Sequence, residues 1–265
     1  QCPCILLQLI ATGKPLSTAG MMIEDRTRTF IIAMERTVVP ENFSFRMTDE
    51  EYRVLEKIKN SIPVCYLADH ADFALGIVTG NKKKFLSAEK TEHSEMVLKG
   101  TDICKYHINP AKQYLRFEPE QFQQVAPLEI YRAPEKLLYR FISNQLVVAY
   151  DDRQMLSLNS CNIVIPKIEG MQIKYILAIL NSSVSQFVYQ KEFHSIKVLR
   201  AHMEHIPIPR VGKAIQNEII AMTEPLICGM GKEAAETCQK RLDCRIMDLF
   251  RLSAEEQWVI RHALH

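Results

Sequence analysis

No apolar run in this 265-residue chain approaches the ~18 residues that a membrane-spanning helix needs. No secretory-type leader is visible either, so a cytoplasmic protein with no membrane partner is expected. The eight cysteines (Cys2, Cys4, Cys65, Cys104, Cys161, Cys228, Cys238, Cys244) form no paired framework. Several sit in apolar runs, where a free thiol acts as a small hydrophobe, which fits a reducing compartment.

The signatures of catalysis are missing as well. A dinucleotide or methyl-donor site needs a glycine-rich strand-to-helix turn. Gly229-Met230-Gly231 lacks a third glycine and falls between helical stretches, so it reads as a helix break. Gly76 and Gly80 are too closely spaced for a phosphate loop, and Asn81 rather than lysine follows the second. No Pro-Pro pair exists, which removes the Asp/Asn-Pro-Pro-aromatic loop that holds a target amine; Asn109-Pro110-Ala111-Lys112 reads as a turn. No Asp or Glu stands two positions before any lysine, the spacing common metal nucleases use. Cys2/Cys4 and His202/His205 have no second pair at zinc-ligand spacing. The expectation is a chain without catalytic residues, metal or cofactor of its own.

Net charge is only +2, but its distribution is uneven. Residues 171–213 carry six Lys/Arg against two Asp/Glu, whereas residues 214–262 carry six against eight. Local basic concentration of this kind is the footprint of a phosphate-binding surface. The turn Gly76-Ile77-Val78-Thr79-Gly80-Asn81-Lys82-Lys83-Lys84 combines two glycines with three lysines. Glycine permits positive φ or close backbone approach, and the lysines supply cations for phosphates. A solvated loop is the competing reading of such a run.

Secondary structure follows from period and punctuation. Short strands are expected at Ile5–Ile10 and Phe30–Met34, and Thr48 with Glu51 forms a capping box opening a helix to about Asn60. Leu137–Ile142, Leu146–Tyr150 and Leu156–Ile165 read as an antiparallel meander. Apolar residues from Ile173 to Val188 recur at helical spacing and predict one amphipathic core helix of about five turns. A basic loop, 191–205, leads to Ile206-Pro207-Ile208-Pro209, and helices follow at 211–227, at 232–250 and from Ser253.

Taken in order, these segments resemble the TaqI-like C-terminal specificity domain of adenine-N6 DNA methyltransferases in type II restriction–modification. The series comprises Gly76–Lys82, Lys99-Gly100-Thr101-Asp102-Ile103, Ile130–Arg140, Ser157-Leu158-Asn159-Ser160, Leu177–Ser182 and Ile206–Pro209. Leu242-Asp243 and Asp248–Glu256 extend it, giving a match over roughly 48–262. The resemblance implies an α+β fold: a mixed or antiparallel β recognition domain with a long packed helix and a C-terminal helical segment. Residues 1–47 would be terminal strands of an upstream methyltransferase domain or a connector, 48–210 the DNA target-recognition domain, and 211–265 the helical segment. The chain would be a fragment whose partners are double-stranded DNA, the upstream methyltransferase domain and a restriction subunit or domain. S-adenosylmethionine would belong to the parent enzyme, a site-specific adenine methyltransferase with or without an endonuclease domain.

The residues expected to meet DNA are Asn81, Lys82, Lys83 and Lys84 in the turn, and Arg132, Lys136 and Arg140 around the first meander strand. Lys136 and Arg140, four apart at period two, share a face. Ser157 and Asn159 would lie together on the polar face of the third strand, where Asn suits adenine. Lys191, Lys197 and Arg200, with His194 and Ser195, would form the second grip. A solvated strand edge and a turn-capping Asn are the plainer readings of the same residues. Two rival functions remain: a non-enzymatic specificity subunit of a multisubunit restriction system, and a protein-interaction scaffold that binds no DNA.

Overall fold

The computed structural model describes residues 18–24, 28–36, 47–193 and 195–264. Its contacts divide the chain into two units, Gln1–Tyr52 and Arg53–His265. In the first, β1 (Met21–Glu24) and β2 (Thr29–Ile32) form an antiparallel hairpin with Met22 opposite Ile31. The strand expected at Phe30–Met34 overlaps β2, and the one at Ile5–Ile10 lies outside the described residues. Buried Arg36 donates to the Met47 carbonyl (2.7 Å) and to Asp49 (2.8 Å), while Asp49 also accepts from the Ala33 and Met34 amides. Helix α1 (Asp49–Asn60) then opens as expected. The Glu51 amide donates to Thr48 Oγ1 (3.2 Å) and the Thr48 amide to Glu51 (2.9 Å), a reciprocal capping box.

The second unit contains β3 (Val64–Cys65), β4 (Ala71–Ala74), α2 (Lys82–Phe85), β5 (Leu86–Ser87), β6 (Ser94–Leu98), β7 (Tyr114–Arg116) and α3 (Leu128–Tyr131). There follow β8 (Lys136–Arg140), β9 (Val148–Asp151), β10 (Leu156–Ser157) and β11 (Cys161–Pro166). One sheet runs β4-β11-β8-β9, antiparallel throughout. The other runs β10-β6-β7-β5, with β10 parallel to β6. Leu138, Ala149 and Ile163 of the first join Val97, Leu115 and Leu156 of the second in one apolar core.

The expected meander is therefore corrected. Its first two strands, β8 and β9, do pair as a hairpin. The third segment, 156–165, divides: β10 joins the other sheet, and β11 returns to the far side of β8. Backbone proximity explains the division. The turn Leu158–Ser160 is clasped by two glycines, since a Cβ on Gly76 would lie 2.1 Å from the Leu158 carbonyl oxygen and one on Gly100 2.5 Å from that of Ser160. The Gly100 amide donates to Ser160 Oγ (2.9 Å), and the Ile77 amide to the Ser157 carbonyl (2.7 Å). No other residue type fits these two approaches without displacing backbone.

The single five-turn helix is also corrected. It is two helices, α4 (Ile173–Asn181) and α5 (Ser183–Glu192), and α4 is buried from Tyr175 onward rather than amphipathic. Asn181 turns its side chain to the β9 edge, accepting from the Val148 amide (3.1 Å) and donating to its carbonyl (2.8 Å). Ser182 takes extended backbone angles and caps α5, accepting from the Ser185 amide at 3.2 Å. The stripe itself is core, as its spacing indicates.

Beyond it lie α6 (Arg200–Glu204), β12 (Ile208–Pro209), α7 (Lys213–Cys228), α8 (Lys232–Leu249) and α9 (Ala254–Ala263). Ser253 and Glu256 form the second capping box, and Leu242 and Ile246 of α8 are buried, as is Phe250 just past its end, while Leu249 is half-buried. Asp243 anchors this helix to the α4–α5 junction by accepting from the Ser183 amide (2.9 Å) and hydroxyl (2.8 Å). Among the described residues no helix is long and apolar enough to cross a membrane.

Candidate nucleic-acid interface

Strand β4 is the free edge of its sheet, and a groove of ≈ 620 Å³ runs along it. Residues 71–75 form the floor, Gln124–Pro127 with Ile130 one wall, and Arg200 the other. The buried Tyr131 hydroxyl ties two of the lining segments together, donating to the Leu75 carbonyl (3.1 Å) and accepting from the Ala126 amide (3.2 Å). Of the two expected cationic segments, the second supplies Arg200 to this groove and the first hydrogen-bonds to its Gln124 side, although more than a hundred residues separate them.

The lysine turn reaches it through the wall loop. Val78 and Gln124 exchange backbone hydrogen bonds of 2.8 and 3.1 Å, and Lys84 Nζ donates to Gln121 in the same loop. Gly80 adopts φ +71°, the left-handed conformation glycine tolerates. The turn is a single helical turn: Asn81 caps α2 by accepting from the Lys84 amide (3.2 Å). Phe85 anchors it edge-on against Phe122 at 5.1 Å. Lys82 and Lys83 are exposed and have no ion-pair partner among the described residues.

The second segment forms a rigid tip. Ile142 bridges to Lys197, the Ser143 amide donates to the Ile196 carbonyl (2.9 Å), and the Val198 amide to that of Phe141 (2.8 Å). Lys197 is exposed, with its ammonium 5.9 Å from the Phe141 ring centre. Arg200 lies 5.2 Å over Phe73 and pairs with Glu204 at 2.7 Å. Ile142 and Ile196 stand 57% and 71% exposed, an apolar pair among cations. Sequence reasoning passed over both, because Phe193, Val198 and Leu199 stand beside Ile196 in the same loop and nothing in the sequence separates it from them. Lys191 is half-buried, its ammonium 5.7 Å from the Phe187 ring. His194 lies outside the described residues.

Other expected contacts are turned inward. Lys136 is fully buried, 2.6 Å from equally buried Asp151, and donates to the Tyr131 carbonyl. Burial pulls its pKa below the ordinary lysine range, and Asp151 offsets part of that shift. It does share a face with Arg140, but that face carries Leu138 into the core. Arg140 is half-buried and donates to the Ile103 carbonyl (2.7 Å). One guanidinium nitrogen of Arg132 donates to both Glu95 carboxylate oxygens (2.6 and 2.7 Å) and the other to the Gln154 carbonyl (2.7 Å). Ser157 is buried while Asn159 is exposed, so they share no polar face; the strand ends at Ser157, and Asn159 belongs to the glycine-clasped turn. Its amide donates to the Ile77 carbonyl at 3.1 Å, which places Asn159 beside the root of the lysine turn.

The second unit thus combines a mixed two-sheet core, a groove at one sheet edge, two cationic segments near it and a helical C-terminal segment. Residues 95–208 match the family model of the TaqI-like C-terminal specificity domain. No curated protein matches the chain. Its fold is similar to that of the type IIL restriction-modification enzyme MmeI, at TM-score 0.50 and 11% identity over 72% of this chain and 34% of that one. The HsdS subunit from Thermoanaerobacter tengcongensis aligns at TM-score 0.41 and 13% identity over 81% of this chain and 50% of that one. The chain thus spans half the length of the HsdS chain and about a third of MmeI.

Proposed function

We propose that this chain is the DNA target-recognition part of a restriction–modification adenine-N6 DNA methyltransferase. It grips duplex DNA along the β4 groove and holds the target adenine for a catalytic domain elsewhere in the parent protein. S-adenosylmethionine would bind in that catalytic domain. One observation carries the reading: the specificity-domain segment contributes the groove wall and basic tip, and the lysine turn docks onto the same loop. MmeI, whose fold it shares, was solved in complex with DNA.

The chemistry divides the labour. Lys82, Lys83 and Lys197 suit phosphates, which position the domain without reading sequence. Asn159, exposed on a turn held by two glycines, suits a base edge, and Ile142 and Ile196 offer apolar contact to thymine methyls. Lys136, Arg132 and Arg140 act from within, holding the scaffold. A salt titration of duplex binding tests the grip. Replacing Lys82, Lys83 and Lys84 together with alanine should weaken binding and flatten the log–log salt slope by about one unit per lost phosphate contact, or about 2–3 in all. An unchanged slope and affinity would remove the lysine turn from the interface.

A further inference from the structure

His202 lies beneath the basic tip, and no role in binding or catalysis accounts for its surroundings. It is 8% exposed, stacked on Phe193 at 4.5 Å and 23°, with Tyr189 edge-on at 5.6 Å. Nδ1 accepts the Leu199 amide at 3.2 Å. Only an unprotonated Nδ1 accepts, so the ring carries its proton on Nε2, and the Lys197 carbonyl beside it accepts from the Tyr189 hydroxyl at 3.4 Å. Tyr189 adds a third tether, its hydroxyl donating to the Ser195 carbonyl at 2.9 Å. Backbone groups of residues 195, 197 and 199 are thus held from inside, while the side chains of Ile196 and Lys197 face outward.

We infer that neutral His202 is a positioning residue, a latch that holds the 195–200 tip in its DNA-presenting shape and releases it on protonation. The inference rests on the DNA-recognition reading above. A protonated ring has two donors and no acceptor, so the Leu199 amide loses its partner at the start of α6. The groups facing the ring are Tyr189 and Phe193 from α5 and Lys197 and Leu199 from the loop, with His205 one turn along α6. Arg200 and Glu204 on the same helix are paired to one another. Burial lowers the His202 pKa from its ordinary 6.5, the Lys197 carbonyl opposes that shift, and His205 adds to it. The sign follows. The folded ring binds its proton less tightly than the unfolded one, so its contribution is complete above 6.5 and lost as pH falls from there through the depressed folded value.

Three variants of the full chain separate the roles. Glutamine at this third helical position accepts the amide of the capping residue, as in a capping box, but does not titrate. Amide hydrogen exchange over 195–200 and duplex affinity should be measured between pH 5 and 8. In the wild type the tip should loosen and affinity fall about tenfold per pH unit once the ring protonates. His202→Gln should keep the tip closed and abolish that step, His202→Ala should open it at every pH, and His205→Gln should leave the profile unchanged. A wild-type profile shared by His202→Gln would overturn the latch. A tip that opens on acidification in a chain binding no duplex at any pH would instead overturn the DNA reading, and with it the latch's purpose.

Discussion

At the scale of single residues, burial decides which cations serve a partner and which serve the fold. Lys136 and Asp151 form a fully buried ion pair, and Asp151 also accepts from the Arg153 and Met155 amides, both at 2.9 Å. Removing the carboxylate strands an ammonium in the core. Asp151→Ala should therefore cost about 3–5 kcal/mol of stability in urea unfolding. Replacing both partners with apolar residues should cost much less. An Asp151→Ala loss under 1 kcal/mol would mean that water reaches the pair. Strand alternation correctly set Lys136 and Arg140 on one face, yet it carries no information about what covers that face. Lysine at a strand start looks the same in sequence whether it meets solvent or an aspartate fifteen residues away. The glycines were more legible: Gly80 takes positive φ, and Gly76 permits close approach, the two uses that this residue type offers.

At the scale of elements, termini were legible and interruptions were not. The capping boxes at Thr48 and Ser253 and the Gly229 break mark local chemistry, and α1, α7, α8 and α9 begin and end close to where those residues stand. The α4–α5 break was hidden because apolar residues continue at helical spacing through it. What breaks the helix is a distant partner, the Val148 edge of β9, which claims the Asn181 side chain. Asn181→Ala would leave the buried Val148 amide unpaired, while the Val148 carbonyl still accepts from Tyr106. A loss of about 1–3 kcal/mol is expected, with faster exchange of the Val148 amide. Unaltered exchange there would show that another group satisfies it. The division of residues 156–165 between two sheets was hidden for the same reason: it depends on Gly76 and Gly100 arriving from elsewhere in the chain.

At the scale of the whole molecule, exposed cations such as Lys90, Arg153, Lys213 and Lys240 are spread over a nearly neutral chain, and the groove is marked by the segments that supply Arg200 and dock the lysine turn onto its Gln124 side. Several other basic residues are occupied in ion pairs, as Lys59 is with Glu192, Lys174 with Glu224 and Arg245 with Glu218. Lys82, Lys83 and Lys197 are exposed on these two segments, as the proposed phosphate contacts require. The excess of basic residues over 171–213 pointed towards this surface. Its partnership with the lysine turn was not legible, because it depends on Val78 meeting Gln124 in three dimensions. Sequence-specific recognition of duplex DNA is tested by selection from a pool of randomised duplexes at low and physiological salt. Salt-sensitive retention and enrichment of one short motif among the bound sequences are expected. Absence of retention at both salt concentrations would contradict it and leave a protein-interaction scaffold in its place.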